Sequence, residues 1–183
     1  MRVITGSARG RKLLTLEGTD VRPTTDIVKE AMFSIIQFEI EGRRVLDLFG
    51  GCGQLAIEAL SRGADSAVIV DASKKSVDVI RKNLETTGFD KKAVVINSDA
   101  IAFLSRRAEK YDIALLDPPY SKGLMEKALD KISDVMNEGG VIVCEAPFGD
   151  EMPEKAGTIA LKKKYRYGKT GLFVYRYDEE VND

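Results

Sequence analysis

The chain has 183 residues, 44% of them apolar, enough for one domain whose core hides roughly 70% of the unfolded surface. Its 28 basic and 29 acidic residues give a formal net charge of −1, which excludes a globally basic nucleic-acid binder and leaves room only for local basic patches. There is no histidine, which removes His triads, His metal sites and His proton shuttles, and the two cysteines, Cys52 and Cys144, form no CxxC from which to build a zinc site or a disulfide framework.

The stretch Met1-Arg2-Val3-Ile4-Thr5-Gly6 lacks the apolar run of a signal peptide, and no segment approaches the ~20 apolar residues of a membrane span. A cytoplasmic, reducing setting is therefore expected. Arg2 to Thr5 and Lys12 to Leu16 flank Gly6-Ser7-Ala8-Arg9-Gly10 and predict a small N-terminal β-hairpin within residues 1–20. Pro23, a capping Thr and Asp26 open a leading helix within 21–40, with Ile27, Val28, Ala31, Met32, Ile35 and Ile36 on one face.

From residue 43 to 177 the pattern is strand, turn, helix, repeated. Strands are predicted at Val45 to Phe49, Ala67 to Val70, Ala93 to Ile96, Tyr111 to Leu116 and Val141 to Cys144. The helices between them carry Leu55, Ala56, Ala59 and Leu60, then Val77, Ile80 and Leu84, then a short helix over about 100–107, then Leu124 to Val135. Gly139-Gly140 is read as the break before the fifth strand, and Thr158 to Tyr167 with Gly171 to Tyr177 as a closing antiparallel hairpin. Strands alternating with helices imply an α/β, Rossmann-like, mostly parallel sheet covered on both faces, all within one domain spanning 1–183. Ligands of such sheets bind beyond the carboxyl ends of the strands. Four successive strands end there on an acid: Asp47, Asp71, Asp99 and Asp117.

Gly51-Cys52-Gly53-Gln54-Leu55-Ala56 fits GxGxx(G/A) between a strand and a helix, and Asp71 follows 18 residues past Gly53, where a ribose-binding acid belongs. A nucleoside-containing cofactor is implied. An acid at the loop, Asp47, suits a cationic sulfonium better than a pyrophosphate, and Asp99 can accept from an adenine amino group; both lean towards S-adenosylmethionine without deciding it.

Asp117-Pro118-Pro119-Tyr120 is the most informative segment. Its prolines stiffen the turn and remove two donors, leaving the Asp117 carboxylate and the Pro118 carbonyl as acceptors. Such a pair can take both hydrogens of a planar exocyclic amine and aim its lone pair at an electrophile. Tyr120 offers a face on which a base can stack.

These motifs resemble S-adenosylmethionine-dependent methyltransferases that act on exocyclic amines of nucleobases. More specifically, Met-Arg-Val-Ile-Thr-Gly with Arg9-Gly10-Arg11-Lys12, then Arg22-Pro23-Thr24-Thr25, Glu58-Ala59-Leu60-Ser61-Arg62-Gly63-Ala64 and Tyr167-Gly168 resemble the RsmD family, the bacterial 16S rRNA guanine-N2 methyltransferases. The departures are Gly50 and Cys52, where the family usually has Ala and Ser, and Asp71, where Glu is usual. The resemblance implies a seven-stranded class I methyltransferase sheet ending in the antiparallel hairpin. It implies S-adenosylmethionine held by Asp47, Phe49, Gly51, Gly53, Asp71, Asp99 and Asp117, with Asp117, Pro118 and Tyr120 as the catalytic turn. It implies 16S rRNA, within the small ribosomal subunit or its precursor, as substrate and partner. A monomer is expected.

Residues 1–16 carry four cations and no acid, residues 161–176 six cations and no acid. Two basic ends on an acidic body read as an RNA footprint, with Arg9, Arg11, Lys12, Arg22, Lys163 and Arg166 as candidate contacts. Three other readings compete. A DNA adenine-N6 methyltransferase could use the same turn, but 183 residues leave no space for a target-recognition domain. A small dehydrogenase-like nucleotide binder leaves Asp117 to Tyr120 without a role. A non-catalytic ribosome-assembly factor with the same RNA surface stays open.

Overall fold

The computed structural model describes residues 1–16, 25–106, 109–119 and 123–178. Helix α1 (Asp26–Ile35) starts where the Thr25 hydroxyl accepts from the Val28 N–H at 3.3 Å. Strand β1 (Arg44–Asp47), helix α2 (Gln54–Ser61), strand β2 (Ser66–Asp71), helix α3 (Lys74–Thr87) and strand β3 (Ala93–Asn97) follow. Then come α4 (Ala100–Leu104), β4 (Tyr111–Leu116), α5 (Leu124–Ile132), β5 (Met136–Pro147), the two-residue β6 (Lys155–Ala156), β7 (Ile159–Tyr167) and β8 (Thr170–Tyr177).

The strands form one sheet in the order β3-β2-β1-β4-β5-β8-β7-β6. The pairs from β3 to β5 are parallel and those from β5 to β6 antiparallel. Chain order reverses beside β1, where β2 lies on one side and β4 on the other, and that is where doubly wound sheets open a crevice. Side chains alternate across the sheet. Val45, Ile69, Ile113, Leu115 and Val143 pack under α1, α2 and α3, while Leu46, Val70, Ala114, Leu116 and Cys144 pack under α4 and α5. Each large aliphatic side chain buried this way contributes about 1.5–3 kcal/mol. Among the described residues no helix is long and apolar enough to cross a membrane.

Three expectations change. The sheet has eight strands rather than seven, because Lys155 and Ala156 add a two-residue edge to β7. The fourth helix stops at Leu104, short of residue 107. Gly139-Gly140 lies inside β5 instead of before it: β5 pairs with β4 at Met136, loops out, and resumes at Val141. The N-terminal hairpin forms as a short antiparallel pairing: Arg2 bridges Lys12, the Val3 N–H donates to the Arg11 carbonyl at 3.0 Å, the Gly10 N–H to the Val3 carbonyl at 2.9 Å and the Leu13 N–H to the Met1 carbonyl at 3.0 Å. Its other backbone groups bind the domain: the Ile4 and Thr5 N–H groups donate to the buried Glu58 carboxylate at 2.8 and 2.9 Å, and Leu14 exchanges two bonds with the Asn83 side chain. Val3, Ala8 and Leu13 enter the core beneath α1 to α3.

Candidate active site

Parallel pairing puts the four acids along one edge. Asp47 lies opposite Ile69 and Leu115, so Asp71 and Asp117 stand two residues further along the neighbouring strands, and Asp71 itself lies opposite Asn97, two residues before Asp99. The topology thus joins what the sequence separates by as many as 70 residues.

Asp47 is fully buried. Its Oδ2 accepts from the Ala56 N–H at 3.1 Å, in the first turn of α2, while Oδ1 has no hydrogen-bond partner among the described residues. Burial pushes its carboxyl up to about 7; the Ala56 bond opposes this, and the nearby charges of Asp117 and Asp71 add to it. A buried acceptor left unsatisfied costs about 1–3 kcal/mol, so this oxygen fits a donor or a cation brought by a ligand.

The loop beside it is shaped by its glycines. A Cβ on Gly50 would sit 2.5 Å from Ile69 Cγ2, so this turn lies flush against β2. Gly51 has φ +57° and open space where its Cβ would be, which leaves its backbone face bare. Gly53, at φ +82°, begins α2 without a side-chain cap. The Asp71 carboxylate, predicted to hold a ribose, is half-buried and already braces this loop: Oδ2 accepts from the Gly51 N–H and Oδ1 from the Ser73 N–H, both at 2.8 Å. A carboxylate has about four lone-pair positions, so two remain for hydroxyls. Asp99 is exposed and caps α4, accepting from the Ala102 N–H at 2.9 Å. Phe49 is half-buried and packs towards the α4–α5 face.

Asp117 is half-buried past the end of β4, Pro118 is buried and Pro119 exposed. Tyr120 and Arg22 lie outside the described residues. Among the described residues no Lys or Arg forms an ion pair with Asp47, Asp71 or Asp99, and no cluster of metal-ligating side chains occurs. The field at this edge is therefore negative, which suits a cationic cofactor and opposes a pyrophosphate. Both cysteine thiols are pushed up by burial, away from nucleophilic chemistry.

The basic ends divide. Arg9, Arg11 and Lys12 are exposed on the α1–α3 side. Lys163 pairs in register with Val174 and stands on that same side, whereas Arg166 pairs with Gly171 and stands on the other. Two of the six C-terminal cations are neutralised. Arg176 makes a bidentate pair with Glu39 at 2.7 and 2.8 Å, and Lys162 meets Asp178 at 2.9 Å. A cavity of about 310 Å³ lined by Lys110, Asp134, Asn137 and Glu138 lies at the opposite, amino edge of the sheet and takes no part in the acid row.

Sequence reading passed over two supporting residues. Glu58 is buried with Lys29 at 3.6 Å and Arg62 at 2.9 Å, and it holds the N-terminal segment. Asn83 is buried and links Leu14 to the Cys52 carbonyl, to which it donates at 2.8 Å. The signal for Glu58 was a lone acid set among Leu55, Ala56, Ile57, Ala59 and Leu60, in a helix whose every residue the structure buries.

A family model described as "Conserved hypothetical protein 95" matches residues 1–176. YlbH of Bacillus subtilis (strain 168) is 40% identical over 181 residues, covering 96% of this chain and 98% of its own length. Ribosomal RNA small subunit methyltransferase D of Escherichia coli (strain K12) is 30% identical over 182 residues, covering 98% of this chain and 91% of that protein. The solved structure of Escherichia coli yhhF superimposes with a TM-score of 0.88 at 29% identity, over 97% of this chain and 98% of that one.

Proposed function

The chain belongs to the RsmD family of class I methyltransferases, and from this premise we propose that it methylates the exocyclic N2 of a guanine in 16S rRNA, in the small subunit or its precursor. The observation that carries the reading is the negative strand-end row, with its unsatisfied Asp47 oxygen beside a bare glycine loop and the rigid Asp117-Pro118-Pro119 turn on the next strand.

S-adenosylmethionine is the cofactor, and when bound it supplies a methyl carbon already activated by a sulfonium. Asp47 receives positive charge at its free oxygen, Gly51 and Gly53 let the backbone approach the ligand, and Asp71 uses its two remaining lone-pair positions on hydroxyls. Phe49 and Asp99 flank the same crevice. Asp117 and the Pro118 carbonyl accept the two hydrogens of the guanine amine, so that its lone pair leaves the ring and points outward. That arrangement also stabilises the positive amine that develops, and such preorganised charge is often the largest catalytic contribution. The base must leave its stack at a cost of a few kcal/mol, which stacking on Tyr120 offsets in part. The proton then passes to Asp117 or water, so a chain without histidine can complete the reaction.

The test is transfer of labelled methyl to unmethylated small subunits, naked 16S rRNA and DNA in parallel. N2-methylguanine in the rRNA is expected, and Asp117→Ala is expected to lower kcat by about 100-fold or more with cofactor affinity less affected than kcat. Label in DNA adenine would reject the substrate class, and an Asp117→Ala protein turning over like wild type would reject the turn.

A further inference from the structure

We propose that Lys164 and Arg166 form a phosphate clamp, mounted on Phe148, that grips the RNA backbone beside the target nucleotide; it rests on the rRNA reading above. Lys164 Nζ lies 4.3 Å and the Arg166 guanidinium carbon 5.0 Å from the centroid of the Phe148 ring, and Lys164 also sits 4.9 Å from Phe173. Arg166 Nε donates to the Gly168 carbonyl at 3.0 Å, which fixes its head group. Two like charges have thus been gathered on one ring.

Their surroundings set them apart from the other cations of the hairpin. Lys162 and Arg176 spend their charge on Asp178 and Glu39. Among the described residues no carboxylate lies within ion-pair distance of Lys164 or Arg166. Converging cations without a counter-charge repel each other and favour an anion between or across them. The ring restrains both heads, so less side-chain entropy is lost when the anion arrives.

The location follows from the sheet. Pro147 pairs with Thr170, and Thr170 with Tyr167, so Phe148 and the β7–β8 turn rise at the same carboxyl edge as Asp117 on β4. Phe148 donates its N–H to the Lys169 carbonyl at 2.9 Å. Gly171 makes the approach possible, since a Cβ there would lie 3.2 Å from Phe148 Cα and 2.7 Å from Phe173 Cε2. On a strand, residues two apart are about 7 Å apart, comparable to the step between successive phosphates of a nucleic-acid strand. The occupant is therefore a phosphodiester backbone, and the contact is blind to base identity.

The experiment measures binding of 16S rRNA to the full chain across a salt series, with methyl transfer read separately. Lys164→Ala/Arg166→Ala is expected to lower the slope of log affinity against log salt by about 1.4–1.8, the release expected for two phosphates, and to leave S-adenosylmethionine affinity unchanged. Lys164→Arg/Arg166→Lys keeps both charges and is expected to keep the slope. Phe148→Leu keeps both charges but loses the mount, and is expected to weaken rRNA binding roughly three- to fivefold. Lys91→Ala/Lys92→Ala removes two charges beyond α3, at the far edge of the sheet. An equal slope change in that variant, or none in Lys164→Ala/Arg166→Ala, overturns the clamp. Absence of methyl transfer by the wild type overturns the proposed activity instead, because the binding series stands without it.

Discussion

At Asp47 the fold holds a carboxyl where water cannot reach it, and the consequence is a proton. Burial pushes its carboxyl up to about 7 in the folded chain, against 3.8 for a freely solvated aspartate. Between these values the folded state binds one proton more than the unfolded state, so this residue makes stability fall as pH rises from about 4 to about 7, by up to roughly 1.4 kcal/mol per unit, and contributes no slope above 7. Asp47→Asn is expected to remove that slope, read as the difference in urea midpoint between the two proteins across the range. A bound cation reverses the balance by favouring the carboxylate. S-adenosylmethionine binding at pH 6 is therefore expected to release close to one proton, measurable by calorimetry in two buffers of different ionisation enthalpy, and to release none in Asp47→Asn. Equal proton release in both proteins would separate Asp47 from the cofactor. The identity and spacing of the strand-end acids were legible in the sequence, because a parallel α/β pattern fixes which end of each strand carries the site. Their partners were not. That Asp71 spends two lone pairs on the Gly51 and Ser73 amides depends on a turn geometry no spacing rule contains.

At the scale of elements, the N-terminal hairpin is bound to the domain as a strap, and its clasp is α2. Glu58 takes the Ile4 and Thr5 amides, pairs with Lys29 and Arg62, and is fully buried, as is Lys29. Lys29 in turn donates to the Arg2 carbonyl at 2.7 Å, and its pKa is lowered by burial against the opposing pull of Glu58. Removing one member of such a cluster leaves an uncompensated buried charge. Glu58→Gln is expected to cost about 3–5 kcal/mol in urea unfolding and to speed hydrogen exchange at Ile4 and Thr5. A cost under about 1 kcal/mol, with both amides still protected, would show that the strap is held by Val3, Ala8 and Leu13 alone. The alternation of strands and helices was readable because it repeats with a clear period. The N-terminal hairpin was legible in its period-two runs and glycines, but its anchoring was not, because only the tertiary structure brings Glu58 and Asn83 to its remaining backbone groups. Gly139-Gly140 did mislead. A glycine pair signals a break, but here a close approach to the Asp112 carbonyl, 3.1 Å from where a Gly140 Cβ would lie, lets β5 kink and continue.

Across the whole molecule, charge is sorted by region. Acids line the crevice over β1 to β4, where a cationic cofactor and an amine are handled; the β7–β8 turn brings cations to that edge, while the Gly6–Gly10 turn packs against Ser61 at the far end of α2. Arg9, Arg11 and Lys12 lie exposed on the α1–α3 side, with Lys163 on the same face of the hairpin, while Lys164 and Arg166 lie on the α4–α5 side. An RNA long enough to reach from the crevice along the α1–α3 side meets positive charge at both contacts and negative charge only where its base is turned in. Neutralising Arg9, Arg11 and Lys12 together is therefore expected to lower the salt slope of 16S rRNA binding by about 2–3 while leaving kcat at saturating RNA near wild type. The two flanks share no partner, so their free-energy losses are expected to add within about 0.5 kcal/mol when the N-terminal triple variant is combined with Lys164→Ala/Arg166→Ala. Strict additivity would describe one RNA held at two independent contacts. A combined loss no larger than the greater single loss would mean that the flanks compete for the same segment, and that RNA crosses only one face of the sheet.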